Sequence, residues 1–151
     1  MDTFNWYSQL IKPDWAPPSY LFGPVWTILY LLIAVSFGKV FYMFFKKEIR
    51  VKIVMPFILN IFFNLFFTPI QFGLQNNILA MIDIILVLGT LIWAIIAIWP
   101  YKKWISYIQI PYLVWVSFAT ILQITITFLN FWKSPNSKSH KYNSLITFIL
   151  L

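Results

Sequence analysis

Cysteine is absent from this 151-residue chain, and histidine occurs once, at His140. The first absence excludes disulfides, thiolate catalysis and cysteine-ligated metals. The second argues against a histidine-based catalytic or metal site, because the lone imidazole sits in a polar tail. Acids are also scarce: four Asp and Glu stand against eleven Lys and Arg, and charged residues make up only 10%. A soluble domain carries about 25%, so this chain lacks the side chains to clothe itself in water. Its 61% of hydrophobic residues and mean hydropathy of +0.80 fit lipid as the solvent. Residues 1–18 hold neither a basic start nor an apolar run, so no secretory leader is legible there.

Four long apolar runs are present, at about 20–45, 53–72, 78–99 and 104–132. Each reaches the roughly 20 residues a spanning helix needs, so the sequence predicts an all-α transmembrane bundle over 20–132. A Trp- and Pro-rich stretch over 1–19 precedes it and a polar tail over 133–151 follows. That tail ends in an apolar piece too short to span, and it is expected to be disordered or to lie at the interface. The net charge of +7 would suggest nucleic acid in a soluble protein. Here the cations cluster between apolar runs, at Lys46, Lys47, Arg50 and Lys52 and at Lys102 and Lys103. They read instead as topology signals and headgroup contacts, placing those two loops on the cytoplasmic face, and no nucleic-acid partner is expected. Lys39, inside the first run, is expected to snorkel to the nearer interface.

Polar groups inside a bilayer are costly and tend to face protein or a cavity. Asp83 is the acid well inside an apolar run. It reads as a ligand or proton site, as a structural hydrogen bond to a neighbouring helix, or as a protonated acid with no role. Asn60 and Asn64, four residues apart, share a helix face that Gln71 extends; that stripe points inward, as interhelical glue or as a pocket wall. Trp99, Trp104 and Trp132 sit at run ends and read as interfacial anchors. Trp26 and Trp115 lie further inside, where they pack or offer flat faces to a planar ligand. In the stretch before the first run, Pro13, Pro17 and Pro18 break helix, while its aromatics need cover. It is expected to fold over the helix ends as a lid.

Those residues also carry a resemblance. Trp6-Tyr7, Leu10, Lys12-Pro13, Trp15 and Pro17-Pro18, followed by Phe22, Pro24-Val25-Trp26 and Leu29-Tyr30, resemble the signature of the TspO family. Asn64 through Phe67, Pro69 and Phe72-Gly73 form a second block, with the family's acid at Asp83. Pro111-Tyr112-Leu113, Trp115, Phe118-Ala119-Thr120, Leu122 and Leu129-Asn130 form a third. The resemblance implies a bundle of five transmembrane helices, usually a homodimer, with a pocket under the first loop. It implies ligands such as protoporphyrin IX and haem, cholesterol in some members, and synthetic benzodiazepine-type compounds. Trp15 would lie in the lid; Trp26, Asn64, Trp115 and Ala119 would line the pocket; Asp83 would hold its mouth or its helix contacts.

The departures are specific. The family's first helix precedes the Trp-Tyr loop, and here five residues do, so four of the five spans are visible and one pocket wall is absent from the sequence. Phe67 stands where the family has a tryptophan, and Gln123 where it has an asparagine. The late cholesterol pattern is broken at Ile124 and Phe128, and no preferred cholesterol site is expected. The leading functional expectation is a tetrapyrrole-binding membrane receptor or sensor without cofactor or metal. Light- and oxygen-dependent porphyrin breakdown at Trp26 and Trp115 is an alternative that the family suggests. No general-base constellation is present, so such chemistry would be photochemical or radical. A transporter is a third expectation, and it lacks intramembrane basic residues and inverted repeats. The protein is expected to be multi-pass, in the cell membrane if bacterial.

Overall fold

The computed structural model describes residues 9–131. Trp6, Tyr7 and Trp132, and the tail expected over 133–151, lie outside them. Pro17 and Pro18 hold the chain extended, and Pro18 sits at φ −57°, ψ 141° before a 3-10 turn, Ser19–Leu21. That turn leads into α1, Phe22–Phe45. α2 is Val51–Thr68 and continues through a π turn, Pro69–Gly73. α3 is Asn77–Ile98; α4, Lys103–Ile108, and α5, Ile110–Phe131, complete the described chain. These make four stretches long and apolar enough to cross a membrane: Ser19–Phe45, Val51–Gly73, Asn77–Ile98 and Lys103–Phe131. The protein is a multi-pass integral membrane protein and an all-helical bundle.

The helix ends follow from local chemistry. α1 stops in a Schellman arrangement, in which Lys47 N–H donates to the Phe44 carbonyl (2.9 Å) and Glu48 N–H to the Met43 carbonyl (2.9 Å). The position that glycine usually fills is Lys47, at φ 59°. α3 starts on Asn76, whose Oδ1 accepts from Ile78 N–H (3.1 Å) and Leu79 N–H (3.0 Å), satisfying two of the donors a helix start leaves free. Pro69 has no N–H to continue the ladder, and the backbone widens there, with Leu74 N–H reaching the Pro69 carbonyl at 3.0 Å. The second span runs through this turn to Gly73, within a residue of its expected end at Phe72.

The expected single helix over 104–132 is two. Pro111 cannot donate to the Tyr107 carbonyl, and the break falls at Gln109, whose N–H is shared between the Ile105 and Ser106 carbonyls at 3.3 and 3.2 Å.

The spans run up and down. α3 packs closely against α2 on one side and α5 on the other. α1 approaches mainly through side chains: Phe37 meets Phe57 edge-on at 4.8 Å, and Ser36 accepts from the Gln109 amide. The interior is mostly apolar, with Val40, Phe57, Leu91, Ile98, Ile105 and Tyr112 at 0% exposure, and it also buries polar side chains such as Asn60, Gln71 and Gln109. The outside is equally apolar: Phe45 is 78% exposed, Ile96 67% and Leu31 64%. Such a surface is untenable in water and ordinary in hydrocarbon. Both basic loops lie at the same end of the bundle. Lys39 points that way, its Nζ 4.8 Å from the ring centre of Tyr42.

Candidate functional site

The end of the bundle opposite the basic loops holds an aromatic seam between α1 and α5. Trp26 on α1 meets Tyr112 on α5 edge-on at 6.4 Å and lies against Tyr30 at 5.4 Å with the planes 31° apart. One turn before Trp26, Phe22 touches Trp115 at 5.7 Å, and Trp115 lies 5.7 Å from Phe118. Trp15, from the segment before α1, closes on Phe118 edge-on at 5.9 Å. The segment is tied down by Asn130, whose Oδ1 accepts from Ile11 N–H (3.1 Å) and whose Nδ2 donates to the Ile11 carbonyl (2.9 Å). Trp26, Trp115 and Ala119 are partly buried against the core. Trp15 remains 50% exposed and Tyr30 45%. The Trp115 Nε1–H is buried and has no hydrogen-bond partner.

Beside the seam runs a hydrogen-bond relay through four spans. Tyr30 O–H donates to Asn64 Oδ1 (3.1 Å), and Asn64 Nδ2 donates to the Tyr112 hydroxyl (2.7 Å). Tyr112 O–H donates to Asn60 Oδ1 (3.1 Å). Asn60 Nδ2 donates to the Val87 carbonyl (2.9 Å) and to Thr90 Oγ1 (3.2 Å), and Thr90 O–H returns its proton to the Leu86 carbonyl (2.8 Å). The interior members are covered: Tyr112 is 0% exposed, Asn60 1% and Asn64 8%. Buried polar groups must be paired, and here one chain of bonds pairs them. It places Asn60 against α3 and Asn64 between α1 and α5.

Asp83 sits elsewhere. It is buried on α3, its Oδ2 has no partner, and no hydrogen bond among the described residues joins it to the relay. Two contacts fix the α3–α5 register: Thr127 Oγ1 and Gln123 Nε2 donate to the Asn77 carbonyl at 3.0 and 3.4 Å. Counting six residues along each antiparallel helix from that point puts Asp83 at the height of Ala119. The Asn60–Val87 bond likewise puts Asn64 near the height of Asp83 itself. Asp83, Asn64 and Ala119 thus share a level of the bundle. Gln71, on the same helical stripe as Asn64, is buried in the π turn with both amide atoms unpaired. At the rim, the link from the π turn to α3 and the end of α5 line a separate shallow cleft of about 260 Å³, with Asn76, Asn77, Thr127 and Asn130 on its walls.

Tyr30 and Tyr112 are the residues that pattern reasoning passed over. Their signal is present in the sequence, since a tyrosine within an apolar span must find a partner for its hydroxyl. Which partner depends on how the helices are rotated.

Comparison with known proteins agrees with this architecture. The profile of the TspO/MBR family matches residues 1–129. The chain is 37% identical over 126 residues to the tryptophan-rich protein TspO of Chlorobaculum tepidum, covering 83% of this chain and 79% of that protein. It is 28% identical over 138 residues to the tryptophan-rich sensory protein of Cereibacter sphaeroides, covering 89% and 82%. It is 32% identical over 127 residues to the translocator protein of Homo sapiens, covering 81% and 73%.

Proposed function

The chain belongs to the TspO/MBR family, and from that premise we propose that it is a membrane receptor or sensor that binds a tetrapyrrole, such as protoporphyrin IX or haem, at the aromatic seam between α1 and α5. The observation that carries the reading is the placing of Trp26 and Trp115, both partly exposed, along one seam with Tyr30 and Phe22. Indole faces stack on flat conjugated rings through dispersion and quadrupole attraction. α1 is the element whose contacts run chiefly through side chains, so it is the one able to part from its neighbours and admit a planar guest. Trp26, Asn64, Trp115 and Ala119 would line the site. Trp15 would cover it as part of the lid, and Asp83 would support the wall at the same level. The outward apolar faces fit a homodimer in the bilayer, and the family resemblance implies one.

The test is quenching of tryptophan fluorescence by protoporphyrin IX in detergent. Trp26→Phe combined with Trp115→Phe should weaken affinity about five- to 150-fold, the loss of two stacking contacts worth roughly 0.5–1.5 kcal/mol each. Unchanged affinity in the double variant would remove the seam as the binding site.

A further inference from the structure

The relay has a direction, and the direction is forced. A backbone carbonyl accepts and never donates, so the Asn60 atom facing the Val87 carbonyl at 2.9 Å is the amide nitrogen. Asn60 Oδ1 therefore faces Tyr112 and must accept its proton. Tyr112, its single proton spent, can only accept from Asn64, so the Asn64 atom 2.7 Å away is Nδ2. Asn64 Oδ1 is then left facing Tyr30, and Tyr30 must donate to it. The peptide group of Val87 on α3 fixes the polarity of side chains on α2, α5 and α1 in turn. The last of them, Tyr30, is 45% exposed beside Trp26. Its only proton is committed inward, and its oxygen shows lone pairs alone to whatever lies against the seam.

We infer that Tyr30 is a specificity-determining residue whose oxygen acts as a hydrogen-bond acceptor, so that the seam prefers a flat aromatic ligand carrying a ring N–H of the pyrrole or indole kind over an equally flat one offering only an acceptor. Asn64, Tyr112 and Asn60 are positioning residues for that polarity. This rests on the reading of the seam as the ligand site and names the chemistry the site selects. An acceptor brought against Tyr30 meets lone pair on lone pair, and turning the hydroxyl to greet it strands Asn64 Oδ1 inside the bundle. A donor costs neither.

Carbazole and dibenzofuran test this with the full chain in detergent. They are neutral tricyclic rings of the same shape, one with N–H and the other with an ether oxygen at the same place. Affinity is read by tryptophan quenching and corrected for partition into protein-free micelles. Wild type should bind carbazole about tenfold more tightly, the worth of one hydrogen bond gained against one refused.

Asn60→Leu supplies the decisive arm, because Asn60 lies at the far end of the relay. Without Asn60 Oδ1, the Tyr112 proton turns to Asn64, the Asn64 amide flips, and Tyr30 accepts inward and donates outward. The preference should fall to parity or reverse, whereas a merely structural role would weaken both ligands equally. Tyr112→Phe gives an independent cut of the relay, with the same loss of preference, should Asn60→Leu not fold. Equal affinities in the wild type, with both ligands bound, overturn the polarity and leave the site standing. A preference that survives both substitutions also overturns it. If neither ring binds and protoporphyrin IX does not either, the seam reading fails and the polarity with it; if protoporphyrin IX alone binds, the polarity inference is overturned and the seam reading stands.

Discussion

Tyr112→Phe removes one oxygen from the centre of the bundle and should be among its most damaging conservative substitutions. The hydroxyl donates to Asn60 and accepts from Asn64, and Tyr112 is 0% exposed. Two bonds vanish together. Hydrogen bonds between membrane helices average about 0.6 kcal/mol each, which gives a floor of about 1.2 kcal/mol. The floor is exceeded here because Asn60 Oδ1 is left buried without a donor, and an orphaned polar atom costs roughly 1–3 kcal/mol. The expected total is about 2–4 kcal/mol. Tyr30→Phe makes the same chemical change at the half-exposed end of the relay, where one bond is lost and the orphaned Asn64 Oδ1 lies nearer the surface; it should cost about 0.6 kcal/mol. The assay is reversible unfolding by sodium dodecyl sulfate in mixed micelles, followed by far-ultraviolet circular dichroism. The reasoning fails if Tyr112→Phe lies within 0.5 kcal/mol of wild type, on the scale of one such bond, or if Tyr30→Phe proves the more damaging of the two.

Two further outcomes follow from the same structure. Asp83→Leu should hold or raise stability, by up to about 1 kcal/mol, because the buried Oδ2 has no hydrogen-bond partner to lose; a loss beyond 1 kcal/mol in the same unfolding assay would show that the acid is held by a partner. Lys47→Gly should stabilise by about 0.5–1 kcal/mol, since a lysine occupies the left-handed position of the Schellman turn at φ 59°. The midpoint in detergent denaturation would read this, and an unchanged or lowered midpoint would count against it.

The spans were legible because run length is a one-dimensional property. Apolar stretches near 20 residues have one stable solution in hydrocarbon, where every backbone group must be paired within the segment. All four spans accordingly fall within a residue or two of their expected bounds among the described residues. The errors cluster at prolines. Pro69 widened a helix and Pro111 broke one, since a missing donor can be answered by a π turn, a kink or a stop, and the choice depends on what packs against it.

Motif and spacing also marked Asn60 and Asn64 as one inward stripe, and the structure puts both in one relay. Whether that stripe glued helices or faced a cleft was undecided at the level of sequence. The bonds show Asn60 fastened to the α3 backbone and Asn64 reaching Tyr30 on α1.

Composition and run length by themselves determined the solvent, the helical class and the number of visible crossings. Motif blocks determined the family. Rotation of each helix about its axis was left to tertiary packing, because weakly amphipathic spans carry little signal for which face turns inward. That rotation brings Tyr30, Asn64, Tyr112, Asn60 and Thr90 together from four separate spans. A hydroxyl has no fixed direction until its neighbours are in place. The polarity that Tyr30 shows at the seam is therefore a property of the folded bundle, set by one peptide group on α3 and carried outward by the pairing of each buried donor with an acceptor.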